Sequence, residues 1–185
     1  STGIDVTGSV TTSGSVGIGT SSITSNTILH LKDTDTQIEL ESTNGSNSAF
    51  IDFDGTSLQL STNRNMIDGA FSNTGKSAAG IFLVGQSGGS LIRFSTASAD
   101  NTTPTTRMTL DASGNLLVGQ STADSTSNGH GLLATGRAYH TMSSAHPLQL
   151  NLKTDDGDIA VFQKDGASVG SIGTEGGDLT IGTGT

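Results

Sequence analysis

The sequence predicts an all-β chain, and three observations carry the prediction. Short runs alternate apolar with polar side chains, the period that puts successive residues on opposite faces of a strand. The breaks between runs are Asn-Gly, Asp-Gly and Gly-Gly pairs, which suit tight turns. No segment sustains a helical period over ten or more residues.

The elements follow in order. "TILHLKD" (27–33) alternates Ile28 and His30 against Leu29 and Leu31. "TQIELES" (36–42) puts Ile38 and Leu40 on one face and Glu39 and Glu41 on the other. "AFIDFDG" (49–55) and "SLQLST" (57–62) repeat the alternation, with turns at Asn44-Gly45 and Asp54-Gly55. The best helix candidate, Asn65 to Phe71, is interrupted by Gly69 and reads as a turn. "GIFLVGQSGGSLIRFS" (80–95) reads as a hairpin turning near Gly88-Gly89, and "DIAVFQKDGASVGSIG" (158–173) as another turning at Asp165-Gly166.

One phrase recurs. Gly14-Ser-Val16-Gly-Ile18-Gly19 matches Gly114-Asn-Leu116-Leu-Val118-Gly119, and again Gly177-Asp-Leu179-Thr-Ile181-Gly182. The template is Gly, any, apolar, any, apolar, Gly. A unit that buries two side chains on one face is too small to stand alone, so its support must come from repetition and from side-by-side copies. Three chains about an axis, each giving one apolar row, would form a rod with a dry centre and a Ser/Thr-rich surface.

Composition points the same way. Ser, Thr and Gly together make 80 of 185 residues, whereas Leu, Ile, Val and Phe make 41. That is just above the ~20% below which disorder sets in. Two prolines and 14% charged residues do not fit a solvated disordered chain, which leaves completion of the core by copies of the same chain. There is no Cys, hence no disulfide, thiolate metal site or cysteine nucleophile. No stretch approaches the roughly 20 apolar residues of a membrane helix, and none reads as a signal peptide; the opening on Ser1 reads as a processed chain or a fragment. The net charge is −9 and the eight basic residues are scattered singly, which argues against nucleic acid and anionic membranes as partners.

The phrase "TRMTLDASGNLLVGQST" (106–122) closely resembles the R-M-x-[I/L/V]-D-x-S-G-N-[V/L]-x-[I/V]-G segment of bacteriophage tail fibres. "LHLKDTDTQIELES" and "FQKDGASVGSIGTEGGDLTIGTG" are similar to other segments of those proteins, so the resemblance runs from about residue 10 to the end. The first repeat departs from the phrase, with Thr7, Gly8 and Thr11 at the R-M and Asp positions. The resemblance implies an elongated all-β homotrimer in the virion tail. It also implies a self-cleaving C-terminal chaperone, which this sequence does not contain.

Motifs for chemistry are weak. Gly85-Gln-Ser87-Gly-Gly89 matches a nucleophile elbow, but a strand rather than a helix follows. Ala70 to Ser77 resembles a phosphate loop that lacks its first Gly and has no helix after it. Asp155, Asp156 and Asp158 surround Gly157 without a bidentate Glu at EF-hand spacing. The pairs Asp33/Asp35 and Asp52/Asp54 could serve glycoside hydrolysis only if brought together. His30, His130, His140 and His146 are too far apart for a simple strand chelate, although one His at a three-fold axis would be tripled. Asn44 and Asn101 head glycosylation sequons, which mean nothing in a protein made in bacteria.

The expectation is therefore an all-β, elongated parallel homotrimer, with intertwined triple-stranded β shaft repeats and small β-hairpin or β-sandwich modules. The shaft repeats are placed at 1–26, 99–122 and 174–185, and the β modules at 27–98 and 123–173. Its role is structural and non-enzymatic, without cofactor or metal: the virion-borne, extracellular carrier of a surface that binds a host glycan or protein, joined to other tail proteins. Contact residues are expected in outward loops, at Asn44, Asn47, Arg64, Asn65, Arg137, Tyr139 and His140. A trimeric bacterial adhesin stalk or head, and a polysaccharide-cleaving tailspike, are the alternatives.

Overall fold

A computed structural model describes Gly14 and residues 16–18, 29–31, 36–41, 48–63, 75–85, 89–99 and 103–183. The chain divides into two units, 1–139 and 140–185. Among the described residues there are fourteen strands and no helix.

In the first unit, β1 (Val16–Ile18) and β2 (Leu29–Leu31) form a parallel pair. The other strands form one antiparallel sheet of nine in which every strand lies beside its neighbour in sequence, the last of them running from the first unit into the start of the second. These are β3 (Thr36–Glu41), β4 (Ser48–Phe53), β5 (Ser57–Thr62), β6 (Ala78–Val84), β7 (Leu91–Ala97), β8 (Thr105–Leu110), β9 (Leu116–Val118), β10 (Gly129–Leu132) and β11 (Ala138–Thr141). The predicted hairpin over 80–95 is β6 with β7, in register from Ala78↔Ala97 to Val84↔Leu91. The tail-fibre-like phrase is β8, a turn and β9.

Turn chemistry fixes the registers. Asp54 accepts at one carboxylate oxygen from the Thr56 amide at 2.9 Å and the Ser57 amide at 2.7 Å, and Gly55 takes φ +85°. At the other turn Asp111 Oδ1 accepts from the Ser113 and Asn115 amides, both at 2.9 Å. Its Oδ2 accepts from Asn115 Nδ2 at 2.9 Å. Asn115 then reaches onward, its Oδ1 accepting from the Ala134 amide at 3.1 Å, which fastens the turn to the loop after β10.

The second unit holds a three-stranded antiparallel sheet of β12 (Gly157–Lys164), β13 (Ala167–Glu175) and β14 (Asp178–Thr183). Asp165 and Gly166 take φ +52° and +82°, the left-handed pair of a two-residue hairpin turn, as the sequence predicts. Gly176 and Gly177 do the same between Glu175 and Asp178.

The sheet of the first unit is closed on an unexpected face. Its buried side chains include Leu117, Phe50 and Val84, but also Ser57, Gln59, Ser61, Ser95 and Thr109, with Asp52 and Asn63 fully buried. Asn63 Nδ2 donates to the Lys76 and Ser77 carbonyls at 2.9 and 3.1 Å, and Arg93 lies over the Phe82 ring at 5.3 Å. Alternation in the sequence defines two faces per strand. The closed face is the one bearing the polar residues.

Candidate functional site

The other face of the nine-stranded sheet is apolar and open. The pairing registers line up two rows across it. One runs Ile38, Ile51, Leu60, Ile81, Phe94, Met108 and Val118. The second runs Phe53, Leu58, Leu83, Ile92, Leu110, Leu116 and, on β10, Leu132. A third, of small residues, passes through Ala49, Thr62, Ala79 and Thr96 beside Leu40.

Ten large apolar residues of this face keep between 37% and 60% of their surface exposed. At roughly 200 Å² for a large apolar residue, that is on the order of 800 Å². The largest patch on a typical monomer is ~300–600 Å², and one side of a standard specific interface is ~800 Å². The step between the large and small rows forms a groove of about 470 Å³, lined by Leu60, Ile81 and Phe94 against Ala49, Ala79 and Thr96.

Three aspartates stand out by their hydrogen bonding, and none of them was singled out for this by the sequence. At Asp54 and Asp111, desolvation raises the carboxyl pKa, but hydrogen bonds outweigh it and hold both below the unperturbed 3.8. For Asp54 the donors are Thr56, Ser57 and Gln59, and for Asp111 they are Asn115, Ser113 and Gly114. Asp124 is held far lower, first by the Thr122 hydroxyl, then by the Ser127 amide and by the hydroxyl and amide of Thr126. The shared D-x-[ST]-[SG] spelling was the available signal (Asp54-Gly-Thr-Ser, Asp111-Ala-Ser-Gly, Asp124-Ser-Thr-Ser). Each carboxylate is committed to ordering its own turn.

Among the described residues, those expected to bear chemistry are not brought together. Asp52 is fully buried on the closed face, while Asp54 is exposed with both oxygens turned into its own turn, Oδ2 accepting from Gln59 Nε2 at 3.2 Å. They do not form a carboxylate pair facing a substrate. Asp33 and Asp35 lie outside the described residues. Asp156 Oδ2 accepts from the Gly176 amide at 2.7 Å, tying the acidic segment to the β13–β14 turn. Among the described residues no three His, Asp or Glu gather as a metal site. His130 is exposed on β10, His140 half-buried on β11 and His146 exposed. Gly85 donates to the Thr56 carbonyl at 2.8 Å; Ser87 lies outside the described residues, and the strand β7 follows where an elbow needs a helix. In the phosphate-loop resemblance only Gly75, Lys76 and Ser77 are described, and β6 follows directly.

Of the expected contact residues, Asn44, Asn47, Arg64 and Asn65 lie outside the described residues. Arg137 is exposed in the β10–β11 turn, its carbonyl accepting from the Leu133 amide at 2.8 Å. Tyr139 is half-buried, its ring lies against Gly131, and its hydroxyl accepts from Gln120 Nε2 at 2.7 Å. Of the repeat residues, Gly14 is exposed, Val16 and Ile18 sit on β1, and Gly19 is outside the described set. Gly114 takes φ +81° in the Asp111 turn, Leu116 and Val118 sit on β9 in the open rows, and Gly119 donates to the Arg107 carbonyl at 3.0 Å. Gly177 is in a hairpin turn, and Leu179, Ile181 and Gly182 are on β14, where the two apolar residues are 70% and 77% exposed. No protein-family model, curated protein or solved structure matches the chain.

Proposed function

We propose that this chain is a structural, non-enzymatic segment of a phage tail fibre that works as a homotrimer, each copy closing its open apolar sheet face against the others. The observation that carries the reading is that face: two large apolar rows in register across the nine-stranded sheet, with an area matching one side of a specific interface. The tail-fibre assignment rests on the residues from Thr106 to Thr122 and their resemblance to the fibre phrase. In that setting the segment links to other tail proteins and carries three identical, individually weak contacts for a host glycan or protein. Three tethered sites raise avidity without any strong single site. The loops around Arg137 and around Asn44, Asn47, Arg64 and Asn65 are the surfaces offered for that contact.

Sedimentation of the purified chain tests the proposal. The expected mass is three times the 18.6 kDa chain, with a high frictional ratio. A compact monomer at micromolar concentration overturns it.

A further inference from the structure

The second unit contains a segment with the sequence pattern of a strand that no strand pairing includes. From Met142 to Asp156 every residue is exposed. Within this stretch, no hydrogen bond among the described residues engages Ser144 to Lys153. Yet Pro147 to Lys153, "PLQLNLK", has the alternation of a half-buried strand, with Leu148, Leu150 and Leu152 on one side and Gln149 and Asn151 on the other. The three leucines are 57%, 50% and 43% exposed. Backbone amides and carbonyls in such a strand need partners, and its leucines need cover. Pro147, which has no N–H, suits the first position of a strand.

The three-stranded sheet of this unit does not supply the cover. Gly173 is its one buried residue among those described, and Val161, Phe162, Leu179 and Ile181 are all exposed. A three-stranded sheet without a covered apolar face falls short of independent stability. Its partner must therefore be present whenever the chain is, which a second copy of the chain always is.

Charge favours copies of the same segment. The chain carries −9 overall, yet Ser144 to Leu152 contains no Asp, Glu, Lys or Arg. Identical strands can meet in register from Pro147 to Leu152 without like charges facing one another, and the one charge, Lys153, falls at the strand's end, where its long side chain can turn out to solvent. The leucines then stack inward, and Gln149 and Asn151 form amide ladders on the outside.

We infer that Pro147 to Lys153 is an interchain strand, meeting the same segment of the other copies at the axis of the assembly with Leu148, Leu150 and Leu152 facing inward. This rests on the trimeric reading above and adds a place to it. The three-fold seam lies in a segment the repeat template does not mark.

The absence of Cys gives a clean test. Leu150→Cys and, as an outward control, Asn151→Cys are made in the full chain, and each is treated with a short tris-maleimide after its mass is measured by sedimentation. The expected result is a trimer for both, with covalent trimer forming at 150 at least about tenfold faster than at 151, because only the axial thiols sit at an effective concentration in the millimolar range within reach of one reagent. A trimeric mass with equal rates, or with a faster rate at 151, overturns the inference and leaves the trimer standing. So does pairing of this strand with an edge of its own sheet or with another protein, which would leave Leu150→Cys unlinked. A monomeric parent chain overturns both readings.

Discussion

Replacing Asp111 by Ala removes a carboxylate that accepts from the Ser113 and Asn115 amides and from Asn115 Nδ2, each at 2.9 Å. A hydrogen bond to a charged group contributes ~1.5–3 kcal/mol when buried, but Asp111 is half-exposed and its bonds share one group, so they do not add in full. The nearest measured analogue is loss of an Asp cap on backbone amides, ~0.5–2 kcal/mol. Asn115 also loses the partner that orients it toward the Ala134 amide, which places the expected cost at about 1.5 kcal/mol. For a chain of this length that lowers Tm by ~3–6 °C. Asp111→Asn keeps an oxygen for the two amides and should lose less than half as much. Thermal melts at one fixed chain concentration measure both variants, since the melting point of an assembly depends on concentration. The pH dependence has a definite sign. The folded carboxyl titrates below its ordinary 3.8, so its stabilisation is present in full well above that value and is lost as pH falls through the lower folded one. The gap between parent and Asp111→Ala should hold from neutral pH to about 5 and narrow as the pH falls below 3.8 toward the lower folded value. An Asp111→Ala variant that melts with the parent at neutral pH refutes the reasoning, as does a gap that widens in acid.

Other outcomes follow from the same geometry. Leu60 keeps 40% of its surface open in one chain, and full burial of a Leu stabilises by ~1.5–3 kcal/mol. On the trimeric reading Leu60→Ser therefore weakens assembly by about 2–4 kcal/mol over three copies, a ~30- to several-hundred-fold loss read by sedimentation equilibrium, whereas an unchanged mass at every dilution would count against the open face as the contact. A Cβ at Gly131 would press into the Tyr139 ring, so Gly131→Ala should displace the ring, break its bond to Gln120 and destabilise by ~1–3 kcal/mol. Tyr139 is the one Tyr and there is no Trp, so intrinsic fluorescence reports the displacement directly. Asp124→Asn removes the charge that the Thr126 and Ser127 amides donate to, so exchange of those two amides should be faster than in the parent at neutral pH and should lose the acceleration the parent shows in acid.

Much of the fold could be read from the sequence because strands and two-residue turns are local facts. Ile81 to Val84 and Leu91 to Phe94 announce a hairpin as two short apolar runs either side of a Gly-rich turn, and Asp165-Gly166 announces its turn through the left-handed backbone both residues tolerate. The union of nine strands into one meander was not legible, since nothing in "AFIDFDG" or "RMTLD" marks where one module stops. Which face closes was also hidden. Alternation places Asp52 and Gln59 opposite Ile51 and Leu60, but it carries no sign, and the polar set proves the buried one. The aspartate turns were legible in principle through their spelling. "DASGN" drew notice as part of a repeat, whereas its chemistry lies in a single carboxylate fastening three donors.

The meander has a kinetic consequence. No pairing in it skips a strand, so each new strand closes only a short loop onto the one before, the topology that folds fastest among β proteins. A nascent chain can zip the sheet from β3 onward as it leaves the ribosome, without waiting for distant segments. On the trimeric reading, the encounter of finished sheets is then the slow, concentration-dependent step. On the same reading, the leucines of Pro147 to Lys153 are covered only at that encounter.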